Sequence, residues 1–174
     1  MSSESQREFE RIVMPEAPRL LRFARRLTGE TPAAEDLAQE TLLKAWRSFH
    51  QFRAGTSAHA WLFRILVNQF YGQGRKIRAA PAMVPLEVQI PAGASSQGQA
   101  KLEMAEALSA LPVDHRTVLL LGVVEGFTCR EISEILSVPM GTVMSRLSRA
   151  REALREILAP ERGIAAVARS QRDR

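Results

Sequence analysis

The chain has 174 residues, is 45% hydrophobic and 25% charged, and carries a net charge of +5; this is the balance of a soluble globular protein of one domain or two small ones. No apolar run reaches the roughly 20 residues that span a bilayer, and the opening MSSESQREFERIV is too charged for a signal peptide. A single cysteine, Cys129, excludes an internal disulfide, and His50, His59 and His115 stand apart, so no metal site, catalytic constellation or cofactor is expected and the cytoplasm is the expected compartment.

The charge is uneven. Residues 1–78 hold 13 basic and 8 acidic residues, 79–125 hold 2 and 5, and 126–174 hold 9 and 6. Two basic ends around an acidic middle suggest two polyanion-binding modules on a tether.

In chain order, residues 4–28 read as helical, with Phe9, Ile12, Val13, Leu20, Leu21, Phe23, Ala24 and Leu27 apolar and Pro15 and Pro18 splitting the element. The arginines between them read as a solvated face, and Gly29 ends the helix. Thr31-Pro32 predicts the next start, a capping hydroxyl and then a proline. The helix continues from Ala33 to Phe49, with Glu35 and Asp36 placed in its first turn, where the dipole favours acids. Glu35, Asp36, Gln39, Glu40 and Leu43 form an acidic-edged patch, which chemistry alone reads as dipole compensation on a solvated face. After the loop His50 to Ser57, a third long helix spans residues 58–78. Leu62, Ile65, Leu66 and Phe70 form its predicted buried stripe. Arg64, Asn68, Tyr71 and Arg75 share another face, suited to bonding bases, stacking on them and neutralising phosphate. Trp61 is either core or a stacking platform, and its large buriable area favours core.

Residues 79–100 read as a linker from their Pro, Gly and Ser content. Within it Val84, Leu86, Val88 and Ile90 alternate with other residues, a pattern open to a transient strand or to docking. Lys101 to Leu111 and Pro112 to Glu125 read as two helices, the second very apolar. Thr128 and Glu131 form a capping box, Ile132, Ile135 and Leu136 follow at helical spacing, and Ser137-Val138-Pro139 breaks the pattern. From Met140 to about Ile157, Val143, Leu147, Ala150, Leu154 and Ile157 make one stripe. The opposite face centres on Ser145 and carries Gly141, Thr142, Ser148 and Arg149, flanked by Met144 and Arg146. Small residues allow approach to a major groove, hydroxyls bond base edges or phosphates, and Arg takes guanine or phosphate. This is a helix-turn-helix with a recognition helix. Residues 159–174 read as a basic tail. Cys129 lies in the first turn of a helix, and with no resolving partner it reads as structural. The fold class expected is all-α: two small helical domains, 1–78 and 101–158, joined by a flexible linker.

Two stretches carry a resemblance. LLRFARRLTGETPAAEDLAQETLLKAWRSFHQFRAGTSAHAWLFRILVN and ALSALPVDHRTVLLLGVVEGFTCREISEILSVPMGTVMSRLSRAREALR resemble regions 2 and 4 of an extracytoplasmic-function sigma factor of bacterial RNA polymerase, in order and spacing. The resemblance implies a promoter-specificity subunit with no catalytic site and no small-molecule substrate. It implies as partners core RNA polymerase (β′ clamp helices and β flap), promoter DNA and an anti-sigma factor. It reassigns the acidic patch: Asp36, Gln39, Glu40 and Leu43 would dock on the clamp helices. It assigns Trp61, Arg64, Asn68, Arg75 and Lys76 to the −10 element, with base capture by a loop like residues 52–60. Thr142, Met144, Ser145, Ser148 and Arg149 would read the −35 element, with Arg130 and Arg146 on phosphates, and the linker would thread polymerase channels. Met144 stands where the family often has Lys or Arg, and Gly72 and Gly74 loosen the placing of Arg75 and Lys76. Two rivals remain: a dimeric helix-turn-helix regulator acting alone, which leaves the N-terminal module idle, and an enzyme, for which no nucleophile–base pair or phosphate-cradling loop is present.

Overall fold

The computed structural model of the protein describes residues 3–53, 55–79 and 96–159, those at 74–79 and 96–99 by backbone alone. Among them lie eight α-helices and no strand. Helices α1 (Ser3–Val13), α2 (Ala17–Thr28), α3 (Thr31–Arg47) and α4 (Ala58–Ala79) form the first bundle. Helices α5 (Ser96–Ala110), α6 (Val113–Leu119), α7 (Cys129–Leu136) and α8 (Met140–Leu158) form the second.

Local chemistry sets most boundaries. Pro15 sits in a 3₁₀ turn, Met14–Glu16, between α1 and α2, and Pro18 in the first turn of α2, where its missing N–H has no helical acceptor to lose. Gly29 ends α2 with φ 80°, its N–H donating to the Arg25 carbonyl; an added Cβ would also stand 3.4 Å from Ser109 Oγ. Gly122 is needed differently. A Cβ there would lie 3.4 Å from Ile132 and 3.5 Å from Leu147, so the missing side chain lets α7 and α8 close on the turn before them.

The structure corrects several expectations. Thr31 does not cap α3: the N-cap is Glu30, and no side chain caps it. Thr28 instead turns the corner, its hydroxyl accepting from the Glu30 N–H at 3.3 Å. The helix therefore starts earlier, and its first turn holds no acid; Glu35 pairs with Arg25 at 3.1 Å. The predicted stripe of α4 is rotated: Leu62, Phe63, Leu66 and Val67 are buried, whereas Ile65 and Phe70 are only partly so. Helix α5 begins at Ser96, five residues before its predicted start. The helix predicted from Pro112 to Glu125 is α6 followed by a π-helical turn, Leu120–Val124. In α8, burial ends after Ala150; Leu154 is half-buried and Ile157 exposed, because the helix outruns the core. The apolar alternation at 84–90 and the tail at 160–174 lie outside the described residues.

One continuous apolar core runs from Phe9 to Ala150 through both bundles. Phe127, just before α7, lies against α4: its ring stacks on His59 at 4.6 Å and meets Phe63 edge-on at 5.6 Å. Helix α4 thus packs on α7, and α2 on α5 and α6. Arg116 of α6 is buried and donates to the carbonyls of Leu27, Ser109 and Leu111 at 2.9, 2.7 and 3.2 Å. A guanidinium thus sits where the C-termini of α2 and α5 converge, and unpaired carbonyls and the negative dipole ends favour a cation there.

Candidate nucleic-acid interface

The helix-turn-helix is built as its sequence dictates. Thr128 Oγ1 accepts from the Glu131 N–H at 3.3 Å, and Glu131 accepts from the Thr128 N–H at 2.8 Å. Both halves of the box are present, and these bonds hold the Glu131 carboxyl below the usual carboxylate range, the backbone N–H contributing most. Ser137 ends α7 at φ 53°, and the Ser133 hydroxyl donates to the Val138 carbonyl at 2.6 Å, tying the turn to the helix before it. Pro139 then starts α8.

On α8, Met144, Ser145, Ser148 and Arg149 are exposed and Thr142 is partly so. The Ser145 hydroxyl donates locally to the Thr142 carbonyl at 3.0 Å. Arg130 on α7 is exposed beside Glu134. Met144, Ser145, Ser148 and Arg149 thus share one open face of α8, as their spacing predicts. Arg146 differs. It is half-buried and ion-paired with Asp114 Oδ2 at 2.5 Å.

On α4, Arg64 and Asn68 are exposed and share a face. Trp61 is partly buried in an aromatic cluster, with Phe52 at 5.2 Å and Phe49 at 6.3 Å; both of its sequence readings have a basis, since the cluster borders the loop before α4. The side chains of Arg75 and Lys76 lie outside the described residues. Tyr71 departs from the row predicted for it. Its hydroxyl donates to Asp114 Oδ1 at 2.9 Å and lies 3.3 Å from Thr117 Oγ1. Burial above all, with the Asp114 carboxylate adding to it, pushes the phenol up to about 12.

On α3, Asp36, Gln39, Glu40 and Leu43 stand on one exposed face, Leu43 at 54%. Glu40 accepts from Gln73 of α4 at 2.8 Å. No group of three or more His, Cys, Asp or Glu side chains that could hold a metal ion occurs among the described residues, and none of their helices is long and apolar enough to cross a membrane.

Some residues at the junction carry no sequence signal of their role. Asp114, Glu125, Arg19 and His59 belong to no motif. Arg19 pairs with the buried Glu125 carboxylate at 2.6 Å and donates to its carbonyl at 3.1 Å. His59 Nδ1 lies 2.9 Å from Glu16 and Nε2 3.8 Å from Glu125. Only the topology brings these together.

Comparison with known proteins bears on the two bundles. A family model for sigma-70 region 2 matches residues 12–79, and one for sigma-70 region 4 matches 101–154. The ECF RNA polymerase sigma factor EcfG of Rhodopseudomonas palustris is 37% identical over 156 residues, covering 84% of this chain and 82% of the relative. SigE of Mycolicibacterium smegmatis is 35% identical over 159 residues, covering 87% of this chain; this chain spans 62% of that relative's length. Among solved structures, the sigma factor RpoE in complex with the anti-sigma factor NepR from Bartonella quintana superposes with a TM-score of 0.74 at 33% identity. It covers 87% of this chain and 97% of that one. CnrH in complex with the cytosolic domain of CnrY gives 0.66 at 26% identity, covering 89% and 90%.

Proposed function

The chain belongs to the extracytoplasmic-function sigma factors of RNA polymerase, and from that membership we propose how its residues share the work of starting a transcript. The factor binds core polymerase, directs it to particular promoters and assists opening of the duplex. Polymerase performs the chemistry; this chain contributes recognition and no catalytic group. It works in the cytoplasm, where polymerase is.

Residues 1–78 act as region 2 and residues 101–158 as region 4, with 79–100 as the tether and 159–174 as a basic tail. Asp36, Gln39, Glu40 and Leu43 dock on the clamp helices, a role open to them because all four are exposed on one face of α3. Arg64 and Asn68, with Trp61 beside the loop, engage the −10 element as its bases leave the stack, and Arg75 and Lys76 hold its backbone. Unstacking a base costs a few kcal/mol, and a pocket with stacking returns it. Thr142, Met144, Ser145, Ser148 and Arg149 read the −35 element, and Arg130 and Arg146 neutralise phosphate. NepR is bound to the Bartonella factor and the cytosolic domain of CnrY to CnrH; an anti-sigma protein of that kind restrains this chain.

The observation that carries the reading is the presence of two exposed faces suited to DNA on two modules of one chain, Arg64 with Asn68 on α4 and Ser145, Ser148 and Arg149 on α8. The test is transcription by core polymerase with and without this protein, followed by sequencing of the RNA. Specific start sites should depend on the protein. Asp36→Arg should raise the concentration needed for half-maximal transcription about tenfold. Arg149→Ala should weaken promoters that rely on the −35 element by about 1–3 kcal/mol of discrimination and spare pre-melted templates. Sequence-specific binding by a dimer of the unaltered chain, without polymerase, would instead favour an independent regulator.

A further inference from the structure

The opening turns of α8 are not those of a helix that binds DNA by charge. From Met140 to Ser148 they carry a single charged side chain, Arg146, and its guanidinium is paired with Asp114 Oδ2 of the same module at 2.5 Å. At about 100° per residue Arg146 also stands on the side of the helix opposite Met144. The flank that holds Met144 carries Met140, Gly141, Ser145 and Ser148, all exposed, and no cation.

Two side chains on this flank are large and apolar. Met140 is 51% exposed and Met144 56%, and at four residues apart they are neighbours on the helix surface. The core takes Val143, Leu147 and Ala150 from α8 instead. Charge enters the flank only further on, where Arg151 and Arg155, with Glu152 between them, follow Met144 and Ser148 along a groove beside Cys129 of α7. Seven residues of helix put Arg151 about 10 Å along the axis from Met144, close to the roughly 12 Å width of a major groove. A cation at that distance meets the phosphate wall of a groove whose base edges lie under the methionine, since the N-terminal part of a recognition helix faces the bases.

An exposed thioether limits what this part of the helix can read. Thymine alone among the bases shows an apolar group in the major groove, its C5-methyl. Guanine shows two acceptors there; a methionine offers them no donor and takes away their water, which is unfavourable. The methionine side chain is unbranched and flexible, so it can follow a methyl group without a fixed approach. Its neighbour agrees with this. The Ser145 hydroxyl donates to the Thr142 carbonyl at 3.0 Å and is left as an acceptor toward DNA, which suits the amino group of adenine, the partner of thymine, and not the acceptor edge of guanine.

We propose that Met144 selects a thymine of the −35 element through its C5-methyl group, so that this recognition helix reads its first bases by apolar contact and takes phosphate charge one groove width further on, at Arg151. The proposal deepens the sigma-factor reading above and rests on it.

The test uses core polymerase with the full chain at a promoter found by RNA sequencing. Each thymine of the −35 element, on either strand, is replaced singly by deoxyuridine, which removes the methyl group and keeps every hydrogen-bonding group. Initiation is measured at subsaturating holoenzyme with the parent, Met144→Ala and Met144→Leu. Met144 is more than half exposed, so both variants are expected to keep the fold; circular dichroism checks this. With the parent, deoxyuridine at one position should lower initiation about fourfold, the effect of one buried methyl-sized group. Met144→Ala should lose about as much on the thymine template and nothing further when that thymine becomes deoxyuridine. Met144→Leu, still apolar, should keep most of the parent's preference for thymine. If the parent is indifferent to deoxyuridine at every position, or if Met144→Ala shares the parent's loss in full at the sensitive one, the proposal is overturned. Absence of protein-dependent start sites with the parent on unmodified templates overturns the sigma-factor reading instead.

Discussion

At the scale of single residues, one side chain shows how surroundings set chemistry. Tyr71 is the only tyrosine of the chain, so its phenolate absorbance reports one group. Burial is the main cause of its pKa of about 12, and the adjacent Asp114 carboxylate adds to it; an exposed phenol titrates near 10. The folded state therefore favours the neutral phenol. Below the unfolded value the stabilisation is complete, and it is lost as pH rises from about 10 through about 12. A spectrophotometric titration should show a midpoint near 12 in the native protein and near 10 in denaturant. A native midpoint near 10 would mean that Tyr71 faces solvent and does not meet Asp114. From sequence, helical spacing puts Tyr71 in a row with Arg64, Asn68 and Arg75. It could not show that the second module covers the end of that face.

At the scale of elements, caps and breakers govern where helices start and stop. The capping box of α7 satisfies two backbone or side-chain donors at an end that would otherwise leave four N–H groups open. Thr128→Ala should cost about 1 kcal/mol and lower the melting temperature by about 2–4 °C, read by circular dichroism. A shift below about half a degree would mean that the box contributes nothing. The Glu131 half of the box is acid-sensitive: its pKa is lowered in the fold, so its contribution is present above the ordinary glutamate value and is lost as pH falls through the lowered one. The same local logic failed at α3. Thr31-Pro32 has the composition of a cap, but Thr28 bonds backbone at the corner first, and the helix begins at Thr31 itself. Competing hydroxyls three residues apart carry equal sequence signals, and only the chain direction after Gly29 selects between them.

At the scale of the whole molecule, the two modules share a core. Phe127 from the second lies 7% exposed against His59 and Phe63 of the first, and Arg116 ties α6 to the end of α2. Calorimetry of the free protein should therefore show one cooperative transition. Phe127→Ala removes the ring that spans the junction, at about 3–5 kcal/mol for a buried aromatic, and should split the melt into two. Two transitions in the unaltered chain would show that the modules fold and melt independently. A shared core also adds buried area to two bundles that are each near the size at which buried surface is marginal.

What the amino-acid sequence determines by itself is everything that depends on neighbours along the chain. The all-α class, the split at Pro15, the stop at Gly29, the box at Thr128 and Glu131, and the small polar face of α8 follow from periodicity, capping and turn chemistry over a few residues. The family resemblance added the meaning of the α3 patch, which charge pattern alone reads as solvated. The tertiary structure alone decides that Phe63 and Phe127 are core, that Arg116 serves two helix ends, and that Asp114 holds Tyr71 and Arg146 at once. The reason is separation along the chain. Arg19 and Glu125 are 106 residues apart, and Tyr71 and Asp114 are 43 apart. A hydrogen bond across such a span leaves no period or local pairing in the sequence, and it exists only because two apolar faces close on each other and bring those side chains within reach.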